Sequence, residues 1–231
     1  MVAMKPFLLS RLLLCCALAL SSASPALAQS GSWFDIKDDD GKPVSNMRAP
    51  VELTVEVDRL KGVNAIGAAA PIVTIVEFMD YNCPFCRKAA NDLETLARAN
   101  SAVKVRLVQN AITSEPSKAA ARVDLAAFRL GGARVAYELH RRLYARRGVN
   151  DANAALGIGA ELGLDRAQLQ AMSDSAEIEE VLNSHMTLAA ALGMNATPSF
   201  LINGVIVSGY PGPDTIRRLV ASLEQCDALS C

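Results

Sequence analysis

The hydrophobic pattern divides the chain into a β-type stretch, a long helical stretch and a second β-type stretch. Residues 72–78, Ile-Val-Thr-Ile-Val-Glu-Phe, form a continuous, β-branched run, which predicts a buried central strand. A helix then opens at Cys83, its apolar stripe running through Ala89, Leu93, Leu96 and Ala97, and Val103 to Val108 reads as a second strand. Strand, helix, strand in that order implies a βαβ unit with parallel strands and a right-handed crossover. From Ser117 to about Gly193 the periodicity is helical throughout. One helix covers Ala119 to Leu130 and stops at Gly131-Gly132; another covers Arg134 to Arg147 and ends at Gly148. Asp151 and Asp165 are placed to cap two shorter helices, and Ala176 to Leu192 is a long one closed by Gly193. β character then returns. Ser199 to Ile202 and Val205 to Ser208 flank Asn203-Gly204, the signature of a type I′ hairpin. Pro213 to Leu223 makes a last helix, with the proline suited to its first turn.

The order βαβ, helical block, ββα is an α/β architecture: a thioredoxin fold with a helical insertion, about residues 117–193, between its two halves. Residues 71–231 would form this domain, and residues 29–70 an N-terminal extension. Within the extension, Val51, Leu53, Val55 and Val57 alternate with charged or polar residues, which predicts a half-exposed strand, and residues 62–71 read as loop.

Residues 1–28 carry a different pattern. Lys5 and Arg11 precede a short apolar run from Leu12 to Leu20, followed by small residues and Ala26-Leu27-Ala28. That order is a secretory signal peptide, with cleavage expected after Ala28. The run falls short of the roughly 20 apolar residues that a bilayer-spanning helix needs. The remaining 203 residues carry 21 basic and 24 acidic side chains. So near-neutral a balance gives no footing to nucleic acid or an anionic membrane surface as partner. Export also changes the meaning of the cysteines. Cys15 and Cys16 leave with the signal, and Cys83, Cys86, Cys226 and Cys231 remain. An even number in an oxidising compartment permits disulfide chemistry.

Cys83-Pro84-Phe85-Cys86 is the central motif. At a helix start, unpaired backbone N–H groups and the helix dipole stabilise a thiolate, lowering the pKa of Cys83 below the free value of about 8.5. Stabilising the thiolate stabilises the reduced form, so the disulfide becomes more oxidising. Cys86, one turn on and nearer the core, is the resolving thiol. The same spacing also fits an inert disulfide or half of a zinc site, although no second Cys or His pair stands nearby. Thr197-Pro198 lies just before a strand, where a proline gives the ladder no donor; a cis and a trans bond both fit the spacing.

The stretch from Glu77 to Arg87, Glu-Phe-Met-Asp-Tyr-Asn-Cys-Pro-Phe-Cys-Arg, resembles the active-site segment of the DsbA-like thiol:disulfide oxidoreductases. Ala196-Thr197-Pro198-Ser199-Phe200 with Ile202-Asn203-Gly204 resembles that family's cis-proline loop and hairpin. The resemblance covers about residues 71–224. It implies a periplasmic enzyme whose only redox group is the dithiol, with no added cofactor and no metal. It implies that Pro198 is cis and faces Cys83, and that Glu77 lies buried beneath the dithiol and moves protons. Thr197 would offer backbone groups to substrate, with Pro84 and Phe85 as further substrate contacts. The partners implied are cysteine-containing exported proteins and a membrane reoxidant of the DsbB type. A reductase or isomerase kept reduced by a DsbD-type donor is the alternative, and a soft-metal carrier for copper(I) a more distant one. One departure is Phe85, where the best-known members carry His; without that charge Cys83 should be less acidic than theirs. Cys226 and Cys231 are expected to close the tail as a local disulfide, the rival reading being an auxiliary redox pair. His140 and His185 are expected on helix surfaces. Arg141, Arg142, Arg146 and Arg147 make a basic face, and Trp33 and Phe34 a possible docking contact.

Overall fold

A computed structural model describes residues 33–229 and 231. The signal-peptide reading lies outside them. Six strands form one mixed sheet: β1 (Asn46–Arg48), β2 (Asn64–Gly67), β3 (Val73–Met79), β4 (Val103–Gln109), β5 (Ser199–Ile202) and β6 (Val205–Ser208), in the order β1-β6-β5-β3-β4-β2. β3 and β4 run parallel, joined by helix α2 (Pro84–Ala99), while the other pairings are antiparallel. Between β4 and β5 lie α3 (Glu115–Ala145), α4 (Ala152–Glu161), α5 (Arg166–Ser173) and α6 (Ala176–Ala191), and α7 (Pro213–Cys226) closes the chain. This is the thioredoxin fold with a helical insertion. α3 is broken at Gly132, whose φ of 75° and ψ of 179° leave the helical region. Asn203 and Gly204 both have positive φ, 46° and 72°, as a type I′ turn requires.

Two parts of the N-terminal extension differ from the sequence expectation. Residues 51–57 are not a strand but the body of α1 (Val51–Arg59), which starts after Pro50. Leu53, Val57 and Leu60 fit helical spacing as well as the alternation fits a strand, and these three pack on the sheet while Val51 and Val55 stay exposed. The expected loop contains β2, which pairs with β4 from Asn64↔Leu107 to Gly67↔Lys104. Its sequence, Asn-Ala-Ile-Gly, carries almost no strand signal, and the pairing is made by the open edge of β4. Gly67 sits so close that a Cβ there would lie 2.3 Å from the carbonyl oxygen of Val103.

The sheet has a core on each face. Ile75, Val105, Leu107, Phe200 and Ile202 pack under α2 and α7, with Leu93, Ala97, Leu219 and Leu223 facing them. Val76, Phe78, Val108 and Leu201 pack against Val57 of α1, Leu188 of α6 and Leu192 just past its end. Burying each such aliphatic side chain contributes about 1.5–3 kcal/mol. A third core fills the insertion, and Met79, Tyr81, Cys83 and Cys86 belong to it. The motif therefore sits on the seam between sheet and insertion.

Candidate active site

β3 delivers the chain to the motif through Asp80, Tyr81 and Asn82, which are held by a network of hydrogen bonds. The Asp80 side chain is buried and accepts the N–H groups of Asn82 (2.7 Å) and Thr113 (2.8 Å), while its carbonyl accepts the N–H of Cys83 at 3.1 Å and the Tyr144 hydroxyl at 3.0 Å. Asn82 donates to Ser117 Oγ (3.0 Å) and the Asn150 carbonyl (2.9 Å), and Asn150 returns its N–H to Asn82 Oδ1 at 2.7 Å. Asn150 Nδ2 then donates to the Tyr81 carbonyl at 2.8 Å. Just past the motif, Arg87 donates to the carbonyls of Tyr144 and Arg146. The loop is thus fastened to α3 and to the turn after it, and Cys83 is left as the N-cap of α2 with Pro84 in the first turn.

Cys83 and Cys86 are free thiols, 6% and 0% exposed, so what little of the pair meets solvent belongs to Cys83. The Cys83 thiol donates to the Thr197 carbonyl at 3.0 Å, and the Thr197–Pro198 bond is cis. This loop therefore lies across the motif although 114 residues separate the two in sequence. The hydrogen bond from Cys86 lowers the pKa of Cys83 to about 6; the Thr197 side chain and the N–H groups of Cys86 and Phe85 assist, against the effect of burial. Cys86 is pushed far above the usual thiol range by burial, by its bond to Cys83, and by the charges of Glu77 and Cys83. Beneath the pair, Glu77 is fully buried and neither carboxyl oxygen has a hydrogen-bond partner among the described residues. Burial, then the charge of Cys83, raises its pKa to about 8, so it holds a proton at neutral pH. One acidic outer thiol, one weakly acidic inner thiol and a protonated carboxyl below is an arrangement able to exchange disulfides and supply the proton the inner sulfur needs.

A family model described as thioredoxin matches residues 60–222. The chain belongs to the thioredoxin family. Among solved structures, a thioredoxin-like oxidoreductase from Silicibacter pomeroyi is 31% identical, with a TM-score of 0.67 over 74% of this chain and 97% of that one. A periplasmic thioredoxin-like protein from Salmonella enterica serovar Typhimurium is 23% identical, with a TM-score of 0.67 over 76% and 98%. The thiol-disulfide exchange protein alpha-DsbA2 from Wolbachia pipientis is 22% identical, with a TM-score of 0.64 over 74% and 96%. The last two show the fold alone, and it is thioredoxin-like. A curated relative, the Na(+)/H(+) antiporter NhaA of Herminiimonas arsenicoxydans, is 28% identical over 149 residues, which are 64% of this chain and 23% of that protein. The chain thus spans less than a quarter of the length of the curated relative it matches. No helix among the described residues is long and apolar enough to cross a membrane.

In this thioredoxin-family chain Cys83, Cys86, Pro84, Phe85, Glu77, Thr197 and Pro198 converge at one end of the sheet. Phe85 projects outward, 55% exposed, with the Lys88 ammonium 5.7 Å from its ring centre. Cys226 and Cys231 do not join them. They form a disulfide at the end of α7, where Glu224 accepts from Asn100 at the far end of α2. The length of α2, about 24 Å at 1.5 Å per residue, separates that corner from Cys83. The two pairs are therefore not in contact in this arrangement.

His140 and His185 are buried, not on helix surfaces. His140 packs among Tyr81, Tyr137 and Tyr144, and burial lowers its pKa to about 3. His185 accepts from the Gln109 N–H at 3.2 Å and bonds the Lys61 carbonyl at 2.7 Å. The helical spacing held the clue. Ala136, Leu139, His140, Leu143 and Tyr144 form one buried stripe of α3, and Ile178, Leu182, His185 and Leu188 one of α6. The basic face is largely neutralised: Arg141 pairs with Glu94 and Glu138, and Arg142 with Glu138 and Glu161. Phe34 packs on the core beneath Arg48, while Trp33 is exposed. Sequence reasoning missed the roles of Asp80, Asn82 and Asn150. The first two stand in the quoted motif segment, but nothing in sequence links Asn150 to it. Among the described residues no group of three or more His, Cys, Asp or Glu side chains could hold a metal ion.

Proposed function

We propose that the protein is a protein-disulfide oxidoreductase of the periplasm that oxidises cysteine pairs in exported proteins through Cys83 and Cys86. The observation that carries this is the asymmetry of the two sulfurs: an outer thiol with its pKa held at about 6 and an inner one, fully buried, pushed far up. In the oxidised enzyme a substrate thiolate attacks the Cys83 sulfur, forming a mixed disulfide and breaking the Cys83–Cys86 bond. Cys86 leaves as a thiolate with high proton affinity and takes the proton of Glu77. A second substrate thiolate attacks the substrate sulfur of the mixed disulfide and releases Cys83 as a stabilised thiolate. Two electrons have then passed from substrate to enzyme, and a quinone-linked membrane partner of the DsbB type takes them on. The Thr197 carbonyl, freed of the Cys83 thiol, is placed to accept an N–H from the substrate backbone, and Pro84 and Phe85 border the same opening.

Two measurements test this. Thiol trapping in cells should find Cys83 and Cys86 mostly oxidised; a mostly reduced pair would make the protein a reductase or isomerase served by a DsbD-type donor. Purified Cys83→Ala should lose all oxidation of a reduced model protein, and retention of normal turnover would refute dithiol exchange at Cys83 altogether.

A further inference from the structure

Besides Glu77, the described residues include two other side chains with a buried, unpartnered oxygen, and those two are already bonded to each other. Gln109, at the end of β4, donates from Nε2 to Asp124 Oδ2 at 2.8 Å, while Gln109 Oε1 and Asp124 Oδ1 have no partner. Both side chains are buried, 3% and 5% exposed. Two orphan acceptors on one bonded pair are the mark of a missing proton position. A carboxylic acid and a primary amide are planar groups with matching edges: when the N–H on the side of the amide carbonyl makes the first N–H···O bond, the remaining two oxygens are turned towards each other. A proton on Asp124 Oδ1 turns that repulsive pair into a second hydrogen bond and satisfies both orphans at once.

We propose that Asp124 is held as a neutral carboxylic acid doubly paired with Gln109, and that this pair is a positioning unit for the dithiol site. Its connections lead to both halves of that site. The Tyr81 side chain, part of the loop that carries Cys83, lies within hydrogen-bonding range of both Asp124 and Gln109, and its hydroxyl is 3.4 Å from His140 Nδ1. The Gln109 N–H is fixed by His185. Its neighbour Asn110 donates from its backbone to the Met79 carbonyl at 2.8 Å and from Nδ2 to the Met194 carbonyl at 3.1 Å. Met194 begins the segment that reaches Thr197 and Pro198. The titratable groups around Asp124 are therefore Tyr81 from the motif loop, His140 from the second half of α3, His185 from α6 and, by way of Tyr81, Glu77 from β3. Neutral histidines leave no cation there to favour an ionised carboxylate, and burial raises the Asp124 pKa to about 7 against the hydrogen bonds of Tyr81 and Gln109, which lower it.

The protonation state stands apart from the proposed function; the positioning role rests on that reading. A carbon-13 NMR titration of the Asp124 carboxyl, assigned by its disappearance in Asp124→Asn, should show a neutral acid at pH 5 and ionisation two or more pH units above the ordinary value of about 3.9. Ionisation near 4 overturns the proposal without any reference to activity. The positioning role is read from the Cys83 thiolate absorbance against pH and from turnover. Asp124→Asn can pair with Gln109 through both edges at every pH, so it should keep the wild-type Cys83 midpoint and turnover. Asp124→Ala should shift the midpoint and slow turnover at least tenfold. Equal impairment of the two variants, or no impairment of either, rejects the positioning role. Absence of turnover in the wild type as well would instead count against the proposed function.

Discussion

The chemistry of the motif depends on how few charges surround one sulfur. Cys83 has a pKa of about 6, between the free thiol at about 8.5 and the value of about 3.5 reached by the most shifted dithiols. Its stabilisers are hydrogen bonds from Cys86, from Thr197 and from the start of α2, and no cation is among them. The side chain between the cysteines that could add one is Phe85, which is apolar and half-exposed. Phe85→His should lower the Cys83 pKa by about one unit, because the imidazolium favours the thiolate electrostatically. Each unit is about 1.4 kcal/mol in favour of the reduced form, or about 30 mV in the two-electron potential. Titration of thiolate absorbance, with a glutathione redox titration of the same variant, checks both. An unchanged potential with a lowered pKa would mean that the thiolate does not set the redox poise.

At the scale of elements, what could be read from the sequence was whatever one element's own pattern determines. The apolar run at β3, the Asn203-Gly204 turn and the Asp151 and Asp165 caps are local signals, and all stand where the sequence places them. α1 and β2 were misread because their state is decided by partners. Leu53, Val57 and Leu60 choose the helix by packing on the sheet, and residues 64–67 become a strand by pairing with β4. The site divides the same way. Cys83, Cys86 and the Thr197-Pro198 pair announce themselves in sequence, whereas the clamp that holds the motif loop spans 68 residues between Asn82 and Asn150. Asn150→Ala tests that clamp. It leaves the carbonyls of Tyr81 and Leu143 without the amide that pairs them, at a cost of about 1–3 kcal/mol. Denaturant unfolding should show a lower midpoint with an unchanged slope, and backbone amides of the motif loop should exchange faster with solvent.

Two features act on the molecule as a whole, and both are measured as stability. The Cys226–Cys231 disulfide closes a short loop that tucks Leu229 into the core under α7. Replacing both cysteines with serine should cost about 2 kcal/mol by chain entropy and leave turnover unchanged, since the pair lies at the far end of α2. The second feature is a set of four buried groups, His140, His185, Glu77 and Asp124, whose pKa values burial moves towards the neutral form. His140 and His185 have lowered pKa values, so the unfolded chain binds more protons than the folded one below about pH 6.5, and stability falls as pH drops from there towards about 3. Glu77 and Asp124 are raised, to about 8 and about 7. Between about pH 4 and those values the folded state binds the extra protons, so their contribution is present in acid and lost as pH rises. The reduced Cys83 acts in the opposite sense on the alkaline side, because its pKa is lowered; the oxidised protein removes that titration. Oxidised wild type should therefore be most resistant to denaturant near pH 5–6 and weaken towards pH 8, by up to about 1.4 kcal/mol per pH unit for each carboxyl still titrating. Glu77→Gln combined with Asp124→Asn should flatten the alkaline slope and steepen the acid limb between about pH 4 and 6.5, where the carboxyls of the wild type offset the histidines. A profile of the oxidised wild type that stays flat from about pH 6.5 to 8, above the histidine window, would mean that these two carboxyls are charged in the folded protein, and with that the proton supply to Cys86 would have to come from somewhere other than Glu77.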